Sequence, residues 1–252
     1  MADSLAGELA GLVLAAGAGT RLRPLSRERP KALCPVGGTP LVDLAIDRLQ
    51  ALVGAVAVNV HHGREQLTAH LDGRVHVSVE AERALGTAGA VGAVRDWVDH
   101  RGLLVVNADA WTSASLDPLV EGWDGDCVRV LVVGADELGP RALIAGSLLP
   151  WDAVEVLAPE PTGLYEHCWK PWADRGALEA VRFDAPFVDC GTPADYLAAN
   201  LAVSGGASVV GAGAVVDGVV ERSVVWDGAV VHRGEHLRDA IRTPGGLTVL
   251  VR

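Results

Sequence analysis

The chain has 252 residues, 50% of them hydrophobic, and its 21 Lys and Arg against 32 Asp and Glu give a formal net charge of −11. Nucleic acids and membrane surfaces are polyanionic, so this charge argues against either as a partner. The length allows one large α/β domain or one domain with a small appendage, and the apolar content excludes a disordered chain. No run of about 18 apolar residues occurs, so no bilayer-spanning helix is predicted.

The start of the chain and its cysteines indicate the compartment. Met1-Ala2-Asp3 opens acidic, unlike a secretory signal. The four cysteines are widely separated and form no CxxC pair: Cys34, Cys127, Cys168 and Cys190. This spacing predicts neither a disulfide framework nor a zinc site, so we expect four small core residues in a reducing cytoplasm.

Short apolar runs alternate with helical periodicities along the first half of the chain. The patterns predict strands at 9–15, 55–60, 75–79 and 103–106, and helices at 41–52, 64–71 and 87–98, the last with Thr87 as its N-cap. Less regular sequence follows, with strands predicted at 128–133 and 142–149 and a helix at 194–203. This alternation predicts a doubly wound, mainly parallel α/β sheet that binds ligands at the carboxyl ends of its strands.

The hydrophobic pattern of the sequence changes after Gly205-Gly206. Between residues 207 and 241 an aliphatic residue recurs every six positions, at Val210, Val216, Val225, Val231 and Leu237, with a slip of three between the second and third. Such a repeat is typical of a hexapeptide β-helix. The repeat covers one and a half to two and a half coils, which is too few to stand alone. We therefore expect a domain at 1–204 and a short β-helix at 205–252 that packs on the main domain or on another subunit.

A glycine-rich loop follows the first predicted strand, over Leu14-Ala15-Ala16-Gly17-Ala18-Gly19-Thr20. Backbone N–H groups in such a loop can approach phosphate oxygens without a side chain intervening. Two familiar phosphate motifs fail here. The dinucleotide fingerprint needs glycine where Leu22 stands, and the P-loop needs a Gly-Lys pair that the chain lacks.

Five cations and one anion lie between Arg21 and Lys31, a net charge of +4, which leaves −15 for the rest of a chain whose total is −11. Arg21 and Lys31 can neutralise a di- or triphosphate beside the loop. Lys31 is also notable because the chain has only one other lysine, Lys170. A cationic segment directly after a glycine-rich loop indicates a polyphosphate ligand.

The stretch from Leu14 to Arg23, with Pro30–Gly38 and Pro40-Leu41, resembles the signature of the sugar-1-phosphate nucleotidyltransferases, the nucleotide-sugar pyrophosphorylases. Later segments agree with the family in order and spacing: Leu85–Ala90, Val106–Trp111 and Val188–Tyr196. The Pro-Lys-x-Leu-x-Pro-Val form is most similar to mannose-1-phosphate guanylyltransferases and N-acetylmuramate-1-phosphate uridylyltransferases. The resemblance covers nearly the whole chain and implies a Rossmann-like nucleotidyltransferase fold with a left-handed β-helix.

The resemblance implies that an NTP and a sugar-1-phosphate react to an NDP-sugar and pyrophosphate, with Mg²⁺ as cofactor. It implies that Arg21 binds the triphosphate, that Lys31 lies near the α-phosphate, and that Asp109 and Asp189 hold the metal. Asp109 also ends a predicted strand, where a metal site belongs. The other implied contacts are Leu14, Ala15, Ala16, Gly17, Ala18, Gly19, Thr20, Gly86, Thr87 and Ala88 for the nucleotide, and Asn107, Gly146 and Asp189 for the sugar phosphate.

Two positions depart from the family pattern. Ala108 stands where glycine usually precedes the first metal aspartate, and its methyl group narrows the space beside the sugar or has no effect. The Glu-Lys-Pro motif that usually grips the sugar phosphate is absent, and only about eight residues join Val133 to Ala142. Lys170-Pro171 follows Trp169 and comes too late in the chain to replace the motif.

The missing motif leaves two explanations. The protein is an active enzyme with an unusual substrate or a compensating arginine such as Arg141, or it is a catalytically silent relative that binds nucleotides or nucleotide sugars. The retained Arg21, Lys31, Asp109 and Asp189 favour activity. A nicotinamide-dependent oxidoreductase is disfavoured by Leu22. A homo-oligomer formed through the β-helix is a further expectation.

Overall fold

The computed structural model describes residues 8–139 and 142–251. The chain groups into two compact units. The first unit contains the residues up to Gly17, Ala45–Ala108 and Thr112–Phe187, and the second contains Ala18–Leu44, Asp109–Trp111 and Val188–Arg252. The expected division into domains at residues 204 and 205 stays a prediction.

The strands, in chain order, are β1 (Leu9–Leu14), β2 (Pro35–Val36), β3 (Thr39–Pro40), β4 (Val56–Val60), β5 (His76–Val79), β6 (Gly102–Asn107), β7 (Ala110–Thr112), β8 (Val128–Val133), β9 (Ile144–Leu149), β10 (Leu178–Phe183), β11 (Phe187–Asp189), β12 (Val209–Val210), β13 (Val215–Val216), β14 (Val219–Glu221), β15 (Val224–Val225), β16 (Val230–Val231), β17 (His236–Arg238), β18 (Ala240–Arg242) and β19 (Thr248–Leu250). The α-helices are α1 (Leu25–Glu28), α2 (Leu41–Gln50), α3 (Arg64–Leu71), α4 (Gly86–Val98), α5 (Asp117–Val120), α6 (Trp151–Val154), α7 (Lys170–Asp174) and α8 (Pro193–Val203). Two 3₁₀ turns (Thr20–Leu22 and Lys31–Leu33) and a π-helical turn (Tyr165–Trp169) complete the described elements.

A seven-stranded sheet forms the centre of the first unit, in the order β10-β8-β9-β6-β1-β4-β5. Strand β9 runs antiparallel to both of its neighbours, whereas the other pairs are parallel. The predicted mainly parallel sheet is therefore confirmed. Helices α3 and α4 lie in the crossovers between parallel strands, as the alternating pattern of the sequence predicts.

One face of this sheet packs against helix α4. Every second residue of a strand points to the same face, and β6 and β8 contribute alternating aliphatic side chains to one buried cluster with the helix. Its members from these three elements are Leu103, Val105, Val128, Val130, Val132, Ala88, Val91, Val94 and Val98. On β1, a Cβ at Gly11 would lie 2.9 Å from Leu49 Cδ1, so this glycine lets helix α2 approach the strand closely.

The predicted elements of the first half all form, with boundaries within two residues. The prediction of Thr87 as an N-cap is wrong. Helix α4 begins one residue earlier, at Gly86, and its N-cap residue Leu85 makes no side-chain capping bond. The Thr87 hydroxyl instead accepts a hydrogen bond from the Leu164 N–H at 2.8 Å, which ties the helix start to the segment before the π-helical turn.

The end of the second unit is a stack of short strands that is consistent with a short β-helix. Three parallel ladders join successive coils: β12 with β15 and β18, β13 with β16, and β14 with β17. Val225, Val231 and Leu237 are buried at their predicted hexad positions. Val210 and Val216 pair in register with Val225 and Val231, but they are exposed because they lie in the first coil of the stack.

The coil packs on other parts of the second unit, as expected for a repeat that is too short to be stable alone. Val224, Trp226 and Ile241 share a buried cluster with residues of helix α8 and of the signature segment, residues 18–41. The cluster members from those two regions are Leu22, Leu25, Cys34, Val36, Leu41, Tyr196, Leu197 and Ala199. The coil is therefore part of the hydrophobic core that supports the signature segment.

The four cysteines are free thiols, and Cys34, Cys168 and Cys190 are buried core residues, as predicted. Burial raises the pKa of each of these three thiols from an ordinary value of 9.0 to about 12. Cys127 is half-buried, and burial raises its pKa as well. Among the described residues, no helix has the length and apolar character that crossing a membrane requires.

We predict that Ellman's reagent at pH 8 modifies one thiol per native chain quickly and four after denaturation. The three buried thiols stay neutral at this pH because their pKa values are raised to about 12. They react slowly, since the thiolate is the reactive form and the reagent cannot reach them. The stability that their raised pKa values contribute is complete below about pH 9 and is lost as the pH rises towards 12. Cys127→Ser should abolish the fast reaction, and two or more fast thiols in the native protein would contradict the assignment.

Candidate active site

The signature segment begins with a loop and two 3₁₀ turns that flank the short helix α1, all within the second unit. Gly19 adopts a left-handed conformation with φ = 58° and caps the turn Thr20–Leu22. A Cβ at this position would lie 2.9 Å from the Lys31 Cβ, so the loop passes over Lys31 only because residue 19 is glycine. The Ser26 hydroxyl donates a hydrogen bond to the Gly19 carbonyl at 2.7 Å and holds the loop there.

The second unit brings together four of the predicted site residues. The side chain of Lys31 is 8% exposed, and its Nζ donates to Asp109 Oδ2 at 3.0 Å and to Asp189 Oδ1 at 3.4 Å. Arg21 Nη2 lies 3.3 Å from the other oxygen of Asp189. The two carboxylates remain 47% and 38% exposed. A buried ammonium group is thus shared by two carboxylates that are still open to solvent.

The backbone places the two aspartates side by side. Asp109 follows β6 by two residues, and Asp189 is the last residue of β11. The N–H of Cys190 donates to the carbonyl of Asp109 at 2.9 Å. At the next position, a Cβ on Gly191 would lie 2.9 Å from Arg21 Nη2, so glycine leaves room for the guanidinium over the chain. The sequence Asp189-Cys190-Gly191 therefore holds the backbone of Asp109 beside Asp189 and leaves space for the Arg21 guanidinium.

A buried polar network supports the segment that carries Lys31. The Tyr196 hydroxyl donates to the Pro35 carbonyl and accepts from Trp226 Nε1–H at 3.0 Å. Asn200 Oδ1 accepts from the Gly37 N–H at 3.0 Å. Burial raises the pKa of Tyr196 well above its ordinary value, so this residue acts as a neutral hydrogen-bonding group.

The predicted nucleotide contacts fall in both units. Ala18, Gly19 and Thr20 belong to the second unit, and Leu14–Gly17 and Gly86-Thr87-Ala88 belong to the first. The Ala88 N–H donates to the Thr162 carbonyl at 3.0 Å, so this group stabilises the helix start. A Cβ at Gly86, whose φ is +70°, would lie 2.5 Å from the same carbonyl. The roles of these residues in nucleotide binding stay predictions.

The predicted sugar-side residues of the first unit lie on two paired strands. Asn107 ends β6, opposite Leu14 of β1, and the next residue, Ala108, donates its N–H to the Leu14 carbonyl at 3.0 Å. The Ala108 methyl group is buried. Gly146 lies in β9, where a Cβ would be 3.0 Å from Leu116 Cδ2. Lack of a side chain at residue 146 therefore serves the packing of this unit, and its predicted contact with a sugar stays a prediction.

Lys170 and Arg141 are the two residues that the sequence offers in place of the missing motif. Lys170 is the first residue of α7, and its Nζ pairs with Asp174 Oδ2 at 2.5 Å on the exposed surface. Hydrogen bonding to this carboxylate raises the pKa of Lys170. Arg141 lies outside the described residues.

Sequence reasoning missed two buried polar residues of the first unit. Asn59 lies in β4, and Glu80 follows β5, and the two side chains are hydrogen-bonded to each other at 2.7 Å. Both also bind backbone N–H groups of predicted nucleotide-binding segments. The available signal was an asparagine within the apolar stretch Val56–Val60, because a buried polar side chain needs partners.

Comparison with known proteins places this chain in one class, the nucleotidyltransferases. The model of the nucleotidyl transferase family matches residues 10–133. The N-acetylmuramate alpha-1-phosphate uridylyltransferase of Caulobacter vibrioides is 31% identical over 228 residues, which cover 75% of this chain and 94% of that protein. The chain belongs to the nucleotidyl transferase family, and its expected membership among the sugar-1-phosphate nucleotidyltransferases is confirmed.

More distant similarities are to a longer relative and to a solved structure. The bifunctional protein GlmU of Methanococcus maripaludis is 24% identical over 218 residues, which cover 75% of this chain and 53% of that protein. The chain thus spans about half the length of this relative. A solved Bacillus anthracis protein, assigned as a glucose-1-phosphate thymidylyltransferase and in complex with sucrose, has the same fold with a TM-score of 0.66, at 19% identity over 77% of this chain and 94% of that chain.

We predict that Lys31→Met lowers the free energy of unfolding by about 1–2 kcal/mol, because it leaves two carboxylates without the ammonium group between them. The loss should shrink in 1 M salt, which screens their repulsion. Urea denaturation at two salt concentrations measures both effects.

Lys170→Met is the matched control, since it removes the other lysine of the chain from an exposed pair with Asp174. This variant should unfold like the wild type. If Lys31→Met is as stable as Lys170→Met at low salt, the ammonium group does not hold the two aspartates.

Proposed function

We propose that this protein transfers a nucleotidyl group from an NTP to a sugar-1-phosphate and releases pyrophosphate. The observation that carries the proposal is the cluster of Lys31 and Arg21 with Asp109 and Asp189, in a chain of the nucleotidyl transferase family. A phosphate oxygen of the sugar-1-phosphate attacks the α-phosphorus of the NTP. A new P–O bond forms to the sugar phosphate, the bond from the α-phosphorus to the bridging oxygen breaks, and pyrophosphate leaves with the electron pair.

Positioning and charge neutralisation are the main contributions that this reaction needs from the protein. In the proposed arrangement, Arg21 binds the triphosphate and the leaving pyrophosphate, and Lys31 binds near the α-phosphate. Arg21 is largely exposed and free to move towards a ligand, whereas Lys31 is buried and held by two carboxylates. This contrast supports a mobile leaving-group contact and a fixed contact at the reacting phosphate.

A divalent cation, Mg²⁺ in this proposal, fits the residues of the cluster. Mg²⁺ binds proteins through one or two carboxylates together with substrate phosphate oxygens. Asp109 and Asp189 supply two partly exposed carboxylates on adjoining backbone, so these residues would hold the ion. The ion would neutralise charge on the phosphates.

The nucleotide donor and the sugar are finer parts of the proposal. The relative from Caulobacter vibrioides is named as a uridylyltransferase of N-acetylmuramate alpha-1-phosphate, which makes UTP and that sugar phosphate the first pair to test.

The compartment and the oligomeric state are further parts of the proposal. The free thiols support a reducing, cytoplasmic setting. Assembly of a homo-oligomer through the C-terminal coil is supported by the exposed valines of its first turn, Val210, Val215, Val216 and Val219.

One observation favours a second candidate, a catalytically silent relative that binds nucleotides or nucleotide sugars. The sequence has no Glu-Lys-Pro motif to bind the sugar phosphate. Lys170 is followed by a proline, as the lysine of that motif is, but its side chain pairs with Asp174. Such a protein would bind the nucleotide without turnover.

We predict that Asp109→Ala lowers pyrophosphate release by at least about 100-fold and leaves the fold intact, because Asp189 still pairs with the Lys31 ammonium and the proposed role of Asp109 lies in metal and phosphate binding. Asp96→Ala is the control, since Asp96 is almost fully exposed and pairs only with its neighbour Arg95 among the described contacts. Undiminished turnover in Asp109→Ala would contradict the metal assignment.

A matrix of four NTPs against several hexose-1-phosphates, including N-acetylmuramate α-1-phosphate, identifies the substrates by pyrophosphate release. We expect one pair to exceed the others by at least about ten-fold, a difference of about 1.4 kcal/mol in transition-state binding. Nucleotide binding without pyrophosphate release in every pair would favour the silent relative instead.

A further inference from the structure

A buried amide–carboxylate pair lies at the carboxyl ends of β4 and β5 in the first unit. Asn59 is 2% exposed and Glu80 is 4% exposed. Asn59 Oδ1 accepts from the Ala15 N–H at 2.8 Å, and Asn59 Nδ2 donates to Glu80 Oε1 at 2.7 Å. The second oxygen, Glu80 Oε2, accepts from the Leu85 N–H at 2.7 Å. The two side chains thus form one hydrogen-bonded chain between two backbone amides.

The backbone sets the directions of the two outer bonds of this chain. The N–H groups of Ala15 and Leu85 can only donate, so the side chains facing them must accept. The middle bond then needs one donor and one acceptor, and here the Asn59 amide donates to the Glu80 carboxylate. The exchanged pair, a carboxylate at 59 with an amide at 80, also makes all three bonds, with the middle bond reversed.

The two backbone ends lie in or next to the two segments of the first unit that are predicted to contact the nucleotide. Ala15 lies in the glycine-rich loop, and Leu85 directly precedes Gly86-Thr87-Ala88. The same segments are held from their other sides. His62 Nδ1 lies 3.1 Å from the Ala16 carbonyl, and the Thr162 N–H donates to the Leu85 carbonyl at 3.0 Å. The amide–carboxylate pair is the described side-chain link that joins them.

The charge of Glu80 also suits its place. Its carboxylate accepts from the N-cap residue of α4, a 13-residue helix, where the positive end of the helix dipole favours an anion. The helix has no side-chain cap from its own N-cap residue. Glu80 therefore satisfies the N–H of the N-cap residue from outside the helix, as the acidic residue of a capping box does from within one.

We propose that Asn59 and Glu80 are positioning residues that fix the spacing between the two nucleotide-binding segments. The inference rests on the proposed function, because it assigns a ligand to those segments. Neither side chain needs to touch the nucleotide. Each acts through a backbone amide, so changing the pair should weaken NTP binding and leave sugar-phosphate binding largely as it was.

The test compares Glu80→Gln and Asn59→Asp with the double variant N59D/E80Q. Glu80→Gln has the same shape but sets two donors against each other at one link of the chain, whichever way the amides turn. Asn59→Asp sets two acceptors against each other. We expect each single variant to raise the Kd for an Mg²⁺–NTP, measured by calorimetry, by about ten-fold, which corresponds to about 1.4 kcal/mol. The double variant restores all three bonds and should bind within about three-fold of the wild type.

Glu82→Gln is the matched control, since Glu82 is exposed and only two residues away. Equal Kd values for Glu80→Gln and Glu82→Gln would overturn the inference, and so would a double variant that binds no better than the single variants. If Glu80→Gln does not fold, a double variant that folds and binds NTP still supports the bond directions, and one that also fails to fold refutes them.

Two readouts separate this inference from the proposed function. The KM for the NTP should rise in Glu80→Gln while the KM for the sugar phosphate stays within about two-fold of the wild type. The positioning role would stand, and the transferase reaction would be refuted, if two results occur together. The double variant regains NTP binding, and the wild-type protein releases no pyrophosphate with any pair of NTP and sugar phosphate. A wild-type protein that binds no NTP would refute both.

Discussion

The proposed catalytic centre depends on the ion pairs that the ammonium group of Lys31 makes. This group is buried and bonded to two carboxylates, Asp109 and Asp189, and the second of these also pairs with Arg21. The four charges balance, although the chain as a whole carries −11. A bound triphosphate would bring excess negative charge to this centre, and a metal ion held by the two carboxylates would offset part of it.

The support for Lys31 comes largely from sequence-distant parts of the second unit. Trp226 of the C-terminal coil donates to Tyr196, which in turn donates to the carbonyl of Pro35, four residues after Lys31. Arg29 also lies with its guanidinium 4.8 Å above the Trp226 ring. The short coil therefore contributes directly to the rigidity of the signature segment, which gives a physical reason for a repeat that is too short to be a domain alone.

Much of the fold could be predicted from the sequence, because strand and helix periodicities are local signals. The resemblance of short motifs to a known family indicated Lys31, Asp109 and Asp189. The antiparallel direction of β9 and the Asn59–Glu80 pair could not be predicted, since they depend on which strands become neighbours. Thr87 was misjudged as an N-cap because its actual partner, the Leu164 N–H, lies 77 residues further along the chain.

The position of a metal ion in crystals grown with Mn²⁺ and an NTP tests whether Asp109 and Asp189 hold the metal. Mn²⁺ takes oxygen ligands as Mg²⁺ does, and its anomalous scattering locates it without reference to the protein atoms. We predict a peak about 2 Å from carboxylate oxygens of both Asp109 and Asp189, with the Lys31 ammonium in contact with a phosphate oxygen. A peak bound by other carboxylates, or a nucleotide whose phosphates make no contact with Lys31, would contradict this assignment.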